Sequence, residues 1–240
     1  MIRLDDLKIG DYKIYQDSTL YNFSTDAVLL ANFASCKKSD VVFDFCSGNG
    51  IVGILMSIKN SYKKIYLVEL QECLYNLAKQ SVEYNKLENV ECLNIKVQNL
   101  INNFKYESAD VVVCNPPYRK SEEHFISKNE HLNICNYELE INLEEIIISS
   151  KNLLKFGGKL FMVNDINRLE ETIVLLNKNG FKTKKLQIVQ PKKDKASNVF
   201  LIEAVKGAKS GIKVLPTLIL NDENGNYLPK VKPPKNKQLK

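Results

Sequence analysis

An apolar run that ends in asparagine, two prolines and tyrosine is the segment of this chain with the clearest chemical capacity: Asp110-Val111-Val112-Val113-Cys114-Asn115-Pro116-Pro117-Tyr118. The prolines fix the backbone and remove two amide donors, which leaves carbonyls to accept hydrogen bonds. An exocyclic amino group offers two hydrogens, and the Asn115 side-chain oxygen and the Pro116 carbonyl can take one each. Bonds in that arrangement hold the nitrogen and favour its change from planar to tetrahedral, so that its lone pair can attack a methyl sulfonium. Tyr118 adds an aromatic face on which a planar amide or a base can stack. No strong base is needed at the outset, because the proton can leave once the nitrogen is cationic. The work is then positioning and electrostatic alignment. A plain Pro-Pro turn capped by asparagine is the alternative.

A second segment supplies a place for a methyl donor. Asp44-Phe45-Cys46-Ser47-Gly48-Asn49-Gly50 runs off an apolar stretch into a helical pattern. Glycines there let the backbone turn tightly and approach a ligand closely, and the loop delivers amide donors at a helix N-terminus. Gly48, Gly50 and Gly53 also satisfy the dinucleotide spacing, and Glu69, at the end of the next apolar run, is the acid that would hold a ribose hydroxyl. That loop suits NAD or S-adenosylmethionine. Asp44 tilts the choice to the second, since a carboxylate repels a pyrophosphate and attracts a cationic amino group. An NAD oxidoreductase would also leave Asn115–Tyr118 without a use.

These residues need strands and helices to hold them. Val41–Cys46, Ile65–Val68, Val90–Val97, Val111–Cys114 and Lys159–Val163 read as strands, with Leu186–Val189 and Val199–Ala204 as a pair at one edge. Helices are expected over Ile51–Lys59, Glu72–Asn85, Leu143–Leu154 and Leu169–Asn179, the third closed by a turn at Lys155-Phe156-Gly157-Gly158. The alternation predicts an α/β, Rossmann-like doubly wound sheet of seven strands, mostly parallel with an antiparallel strand at the edge. Ligands of such sheets sit at the carboxyl ends of the strands, where both segments fall. We divide the chain into an N-terminal segment 1–40 packing on the cofactor site, a catalytic domain 41–207 and an extension 208–240 with a basic tail.

Composition narrows the class. At 240 residues, 44% hydrophobic and 26% charged, the chain has the balance of a soluble globular domain. The apolar runs are too short to span a bilayer, the start MIRLDDLKIG is no secretory signal, and the six cysteines form no CxxC pair. We therefore expect no membrane association, no metal, and a cytoplasmic monomer. The net charge of +6 gathers in two places: Lys182, Lys184, Lys185, Lys192, Lys193 and Lys195 around Asp194, and Lys230, Lys232, Lys235, Lys237 and Lys240 with no acid. Such groups either neutralise phosphates or form a solvated surface.

Together the glycine loop, Glu69 and Asn115–Tyr118 resemble the class I amino-methyltransferases. More narrowly, the chain resembles the bacterial tRNA1(Val) (adenine-N6)-methyltransferases. The resemblance extends through Tyr15-Gln16, Phe23–Ala31, Ala196–Gly207 and Lys213–Ile219. It implies S-adenosylmethionine as cofactor and a tRNA partner, with an anticodon-loop adenine methylated on N6. An unpaired loop base can be splayed out without melting a duplex. Carried over, Asp44, Gly48, Gly50 and Glu69 are cofactor contacts and Asn115, Pro116 and Tyr118 the catalytic site. Where relatives carry an acid near the cofactor adenine this chain has Val97-Gln98-Asn99, so Gln98 is the expected contact. The resemblance also offers Asp26 as a residue that closes the cofactor pocket, but Ser24-Thr25-Asp26 reads more simply as an ordinary helix start, and His124 and His131 read as loop residues. After Tyr118 the charge is mixed, with Arg119 and Lys120 followed by Glu122 and Glu123. Guanine N2 in ribosomal RNA and a protein glutamine are the rival substrates, and a catalytically silent RNA-binding module is the rival class.

Overall fold

The computed structural model describes residues 1–59, 62–120 and 130–228. Its centre is a nine-stranded sheet. Parallel strands β3 (Val41–Phe45), β4 (Lys64–Glu69), β5 (Val90–Asn94), β6 (Ala109–Cys114) and β7 (Leu154–Asp165) lie in the spatial order β7-β6-β3-β4-β5. The order reverses at β3, so a crevice opens beside its carboxyl end. β8 (Phe181–Gln190) and β9 (Val199–Lys206) continue the sheet beyond β7. β9 runs antiparallel to both of its neighbours, so the antiparallel strand expected at the edge lies inside it, between β7 and β8. The short strands β10 (Lys213–Val214) and β11 (Leu218–Ile219) pair with the outer side of β8 and raise the count above the seven expected. Their two-residue lengths carry too little pattern to be read from sequence.

Side-chain alternation along the central strands builds a core on each face. Val42, Val111, Val113, Phe161 and Val163 point to one side, where α1 (Thr25–Phe33) and α2 (Ile51–Lys59) cover them. Phe43, Phe45, Val112, Leu160 and Met162 point to the other, under α5 (Leu143–Leu153) and α6 (Leu169–Lys178). The fully buried phenylalanines each contribute on the order of 2 kcal/mol by removal from water. α5 starts on a capping box in which Asn142 and Glu145 satisfy each other's backbone amides. α3 (Glu72–Tyr84) carries the N-terminal hairpin β1 (Ile2–Asp6) and β2 (Lys13–Asp17), which docks through Tyr15 N to Ser81 Oγ at 2.9 Å and Lys13 N to Asn85 Oδ1 at 3.0 Å. α4 (Glu130–Asn136) lies over the crevice.

Two expected boundaries move. The strand read over Val90–Val97 stops at Asn94, level with the end of β4, because no neighbour remains beyond it. Val97–Asn102 then forms a short 3-10 helix. The turn read at Lys155–Gly158 is instead a bulge inside β7, with Leu154 paired to Ala109 and Lys159 to Val111. Gly157, at φ +78°, absorbs the extra residues.

Candidate active site

The loop between β3 and α2 turns through three left-handed residues, Cys46 (φ +54°), Gly48 (+57°) and Gly50 (+85°). Only glycine adopts this conformation without cost. The loop is tied to the end of β4: Ser47 N donates to Val68 O at 3.0 Å and Gly48 N to Glu69 Oε2 at 2.8 Å. Gly50 and Gly53 serve packing. A Cβ on Gly50 would sit 2.8 Å from Leu67 Cδ1, and one on Gly53 would overlap the Leu67 side chain. Small residues there let α2 lie close against the sheet.

A pocket of about 330 Å³ opens over this loop at the carboxyl ends of the strands. Its wall includes Ser47, Gly48, Glu69, Gln98, Asn115, Pro116 and Tyr118. Of the expected cofactor residues, Gly50 and Asp44 are not on the wall. Asp44 lies behind it, 1% exposed, with Oδ2 accepting from Gly53 N at 2.9 Å and Oδ1 without a partner among the described residues. Burial pushes its carboxyl up to about 8 against the Gly53 amide, and the neighbouring Glu69 adds to the rise. Glu69 is also raised by burial, but Gly48 and Gln71 donate to it at 2.8 Å each and oppose the rise.

Across the pocket, the Tyr118 hydroxyl donates to Asn115 Oδ1 at 2.8 Å and lies 3.2 Å from Asp26 Oδ2. Burial holds the phenol well above its ordinary value, so it keeps its single proton and can serve only one of these acceptors at a time. The Asp26 carboxyl is raised by burial too, with the Tyr118 hydroxyl pulling the other way. Among the described residues no donor reaches the Pro116 carbonyl. Both readings of Asp26 meet here: it stands in the first turn of α1 and it lines the pocket.

Further residues at the site carried no signal of their own. Arg168, 6% exposed, donates to Glu138 Oε1 at 2.7 Å, to Glu171 Oε2 at 3.0 Å and to the Tyr118 carbonyl at 3.4 Å. That clamp fixes the segment after the prolines. Gln71 faces α4, with Oε1 on His131 Nδ1 at 2.8 Å and Nε2 3.1 Å from Cys135 Sγ. His131 therefore belongs to a helix and not to a loop. Gln98 lines the pocket while its amide nitrogen donates to the Glu140 carbonyl at 3.0 Å. Lys120 pairs with Glu171 at 3.5 Å, and Arg119 lies over the Tyr137 ring at 5.7 Å. Glu122, Glu123, His124 and the lysines from Lys230 onward fall outside the described residues.

The doubly wound sheet and the glycine loop that ends β3 make this chain a class I S-adenosylmethionine-dependent methyltransferase. It belongs to the methyltransferase small domain family, whose model matches residues 24–192, and the NAD alternative falls with that membership. The chain is 24% identical over 223 residues to a tRNA1(Val) (adenine(37)-N6)-methyltransferase of Dyadobacter fermentans, covering 91% of this chain and 90% of that one. A release factor glutamine methyltransferase of Mycoplasma mycoides is 26% identical over 146 residues, 53% of this chain and 51% of its own. Among solved structures, a predicted O-methyltransferase from Agrobacterium tumefaciens superposes with a TM-score of 0.69 at 18% identity, covering 86% of this chain and 93% of that one. P. horikoshii TYW2 in complex with MeSAdo gives 0.59 at 14%, covering 86% and 72%. Both likenesses are of fold. Among the described residues no helix is long and apolar enough to cross a membrane.

Proposed function

We propose that this methyltransferase acts on the exocyclic N6 of an adenine in a tRNA anticodon loop, in the cytoplasm. When bound, S-adenosylmethionine supplies an electrophilic methyl group on a sulfonium. The residues present fit such a ligand. Among the described residues Ser47 Oγ in the pocket wall and Asp44 Oδ1 behind it are buried without hydrogen-bond partners, and Glu69 keeps lone pairs beyond its bonds from Gly48 and Gln71. Glu69 would hold the ribose, and Asp44 the cationic amino group through its field. Gln98 is our candidate for the adenine.

The observation that carries the amino-nitrogen reading is that Asn115 and Pro116, which offer the acceptors Oδ1 and O, both line the pocket. An incoming amino group donates one hydrogen to each, which aligns the nitrogen lone pair. The Tyr118 hydroxyl already occupies Asn115 Oδ1, and Asp26 Oδ2 offers it a second acceptor. Swinging to Asp26 releases Asn115 for the substrate. After transfer the cationic nitrogen sheds a proton to water.

The tRNA substrate is supported by the Dyadobacter relative, which matches this chain nearly end to end, whereas the glutamine methyltransferase of Mycoplasma matches about half. A glutamine amide is the second reading, because it too offers two hydrogens to the same acceptors. Labelled methyl transfer to total tRNA, ribosomal RNA and protein from a strain lacking the gene, with nucleoside mass spectrometry, tests the choice. The expected product is N6-methyladenosine in a single tRNA. Label in guanine or in protein glutamine would keep the Asn115 chemistry and overturn the substrate.

A further inference from the structure

An arginine presents its donors in a rigid planar fork and keeps its charge when buried. Arg168 closes a short 3-10 turn, Ile166–Arg168, between β7 and α6, and it is buried there. Nη1 donates to Glu138 Oε1 at 2.7 Å and to the Tyr118 carbonyl at 3.4 Å, while Nε donates to Glu171 Oε2 at 3.0 Å. The base of the fork is fixed too. Asp165 caps the turn by accepting from Asn167 N at 2.9 Å, and Thr172 Oγ1 donates to the Arg168 carbonyl at 2.7 Å.

Glu138 is committed on two further sides. Its Oε1 also accepts from Leu143 N, the first residue of α5, at 2.8 Å, and its own amide donates to the Arg119 carbonyl at 2.8 Å. Arg119 N in turn donates to the Asn136 carbonyl at 3.0 Å, at the end of α4, and the Arg119 guanidinium reaches the Tyr137 hydroxyl at 3.3 Å. Tyr118 and Arg119 are thus pinned between Arg168 on one side and the chain joining α4 to α5 on the other. A buried ion pair is a costly way to hold a fold, since apolar side chains of like volume often stabilise it as well. What the fork adds is direction. Here the direction is given to the backbone of Tyr118, whose hydroxyl lies 2.8 Å from Asn115 Oδ1 and 3.2 Å from Asp26 Oδ2. Misplacement of a reacting group by about 1 Å can lower a rate about 100-fold.

We propose that Arg168, held by Glu138, is a positioning residue for methyl transfer: it fixes the Tyr118 carbonyl so that the phenol can pass between Asn115 and Asp26 as the target amino group enters. Arg168 is not part of the pocket wall and acts through Tyr118. The inference rests on the amino-nitrogen reading above and adds to it a residue behind the site. A lysine at this position keeps the charge, but a single ammonium cannot serve Glu138, Glu171 and the carbonyl from one plane. A shorter acid at 138 draws the fork away from Tyr118. A glutamine at 138 keeps an acceptor for both Nη1 and Leu143 N.

Arg168→Lys, Glu138→Asp and Glu138→Gln test it in the full chain, each alone and combined with Tyr118→Phe, with labelled methyl transfer to whichever RNA or protein fraction the wild type methylates. Arg168→Lys and Glu138→Asp should each lower kcat about tenfold and change KM and S-adenosylmethionine affinity less than about threefold. Glu138→Gln should keep kcat within about threefold of wild type. In the Tyr118→Phe background no hydroxyl is left to aim, so Arg168→Lys and Glu138→Asp should each cost less than about threefold there. An equal loss in both backgrounds would mean that the clamp does not act through the phenol, and would overturn the proposal. Unchanged kcat in both single variants would overturn it as well. So would S-adenosylmethionine affinity falling in step with kcat in both, which would make the clamp a support of the fold. A wild type that methylates neither RNA nor protein would instead fail the functional reading itself.

Discussion

Two segments meet in the pocket, one leaving β3 and the other leaving β6, and they are held in different ways. The glycine loop is fastened by main-chain groups and two carboxylates, Glu69 on the strand next door and Asp44 on its own, all within about two dozen residues of chain: Ser47 to Val68, Gly48 to Glu69, Gly53 to Asp44. Asn115–Tyr118 takes its rigidity first from its prolines and then from side chains far away in sequence. Asp26 lies 92 residues before Tyr118, and Arg168 50 residues after it. A loop held by its own backbone tolerates side-chain changes around it. A loop held by remote side chains can be retuned, because Arg168 holds its backbone and Asp26 competes with Asn115 for the Tyr118 proton.

Substitutions on the two sides should therefore separate donor binding from chemistry. The largest effect is expected from Asn115→Ala, which removes an acceptor used as the nitrogen becomes tetrahedral. Turnover should fall about 100-fold or more while affinity for S-adenosylmethionine, measured by equilibrium dialysis, stays near wild type. Parallel loss of both would make Asn115 a structural residue and erase the contrast. Glu69→Ala should do the reverse, weakening S-adenosylmethionine about 10- to 100-fold through the lost charged hydrogen bonds, with kcat at saturation much less affected.

Asp26→Ala sharpens the comparison. Without its second acceptor the Tyr118 hydroxyl stays on Asn115 Oδ1 and competes with the substrate, so kcat should drop about tenfold. Tyr118→Phe in that background should recover part of it, which a merely structural Asp26 would not allow.

The smallest effect is a pH dependence set by Asp44. Its folded value of about 8 lies above the ordinary 3.8, so between these the folded chain keeps a proton that the unfolded chain has released. The resulting stability is complete below about pH 4 and is lost as pH rises through about 8. Denaturant midpoints at pH 5 and pH 9 should differ more in the wild type than in Asp44→Asn. A cationic ligand favours the ionised acid, so S-adenosylmethionine affinity should climb across pH 8 in the wild type and not in the variant.

The pattern of strands and helices was readable because each central strand shows enough alternating or continuous apolar residues to declare itself, as in Val41–Phe45 and Val111–Cys114. The two-residue strands β10 and β11 hold no such pattern, and their pairing with β8 depends on where the extension docks. Both loops at the pocket were legible from residue type alone, since glycines at left-handed positions and paired prolines restrict the backbone wherever they occur. Asp26 was legible only in part: the resemblance offers it to the pocket, but Ser-Thr-Asp before an apolar run is also the ordinary start of a helix, and nothing local links it to Tyr118. Nothing in the sequence singles out Arg168 or Glu138, which the fold buries together at 8% and 9% side-chain exposure.

By itself, then, the amino-acid order determined the α/β class, the glycine loop with its acid at Glu69, and the pair of acceptors at Asn115 and Pro116. These follow from local sterics and from periodicities that act over a few residues. Only the tertiary structure decided that Asp44 stands behind the pocket wall, that Tyr118 is shared between Asn115 and Asp26, and that Arg168 reaches the Tyr118 carbonyl. Each of those depends on burial or on contact between segments tens of residues apart, and chain distance carries no information about either until the sheet has brought the segments together.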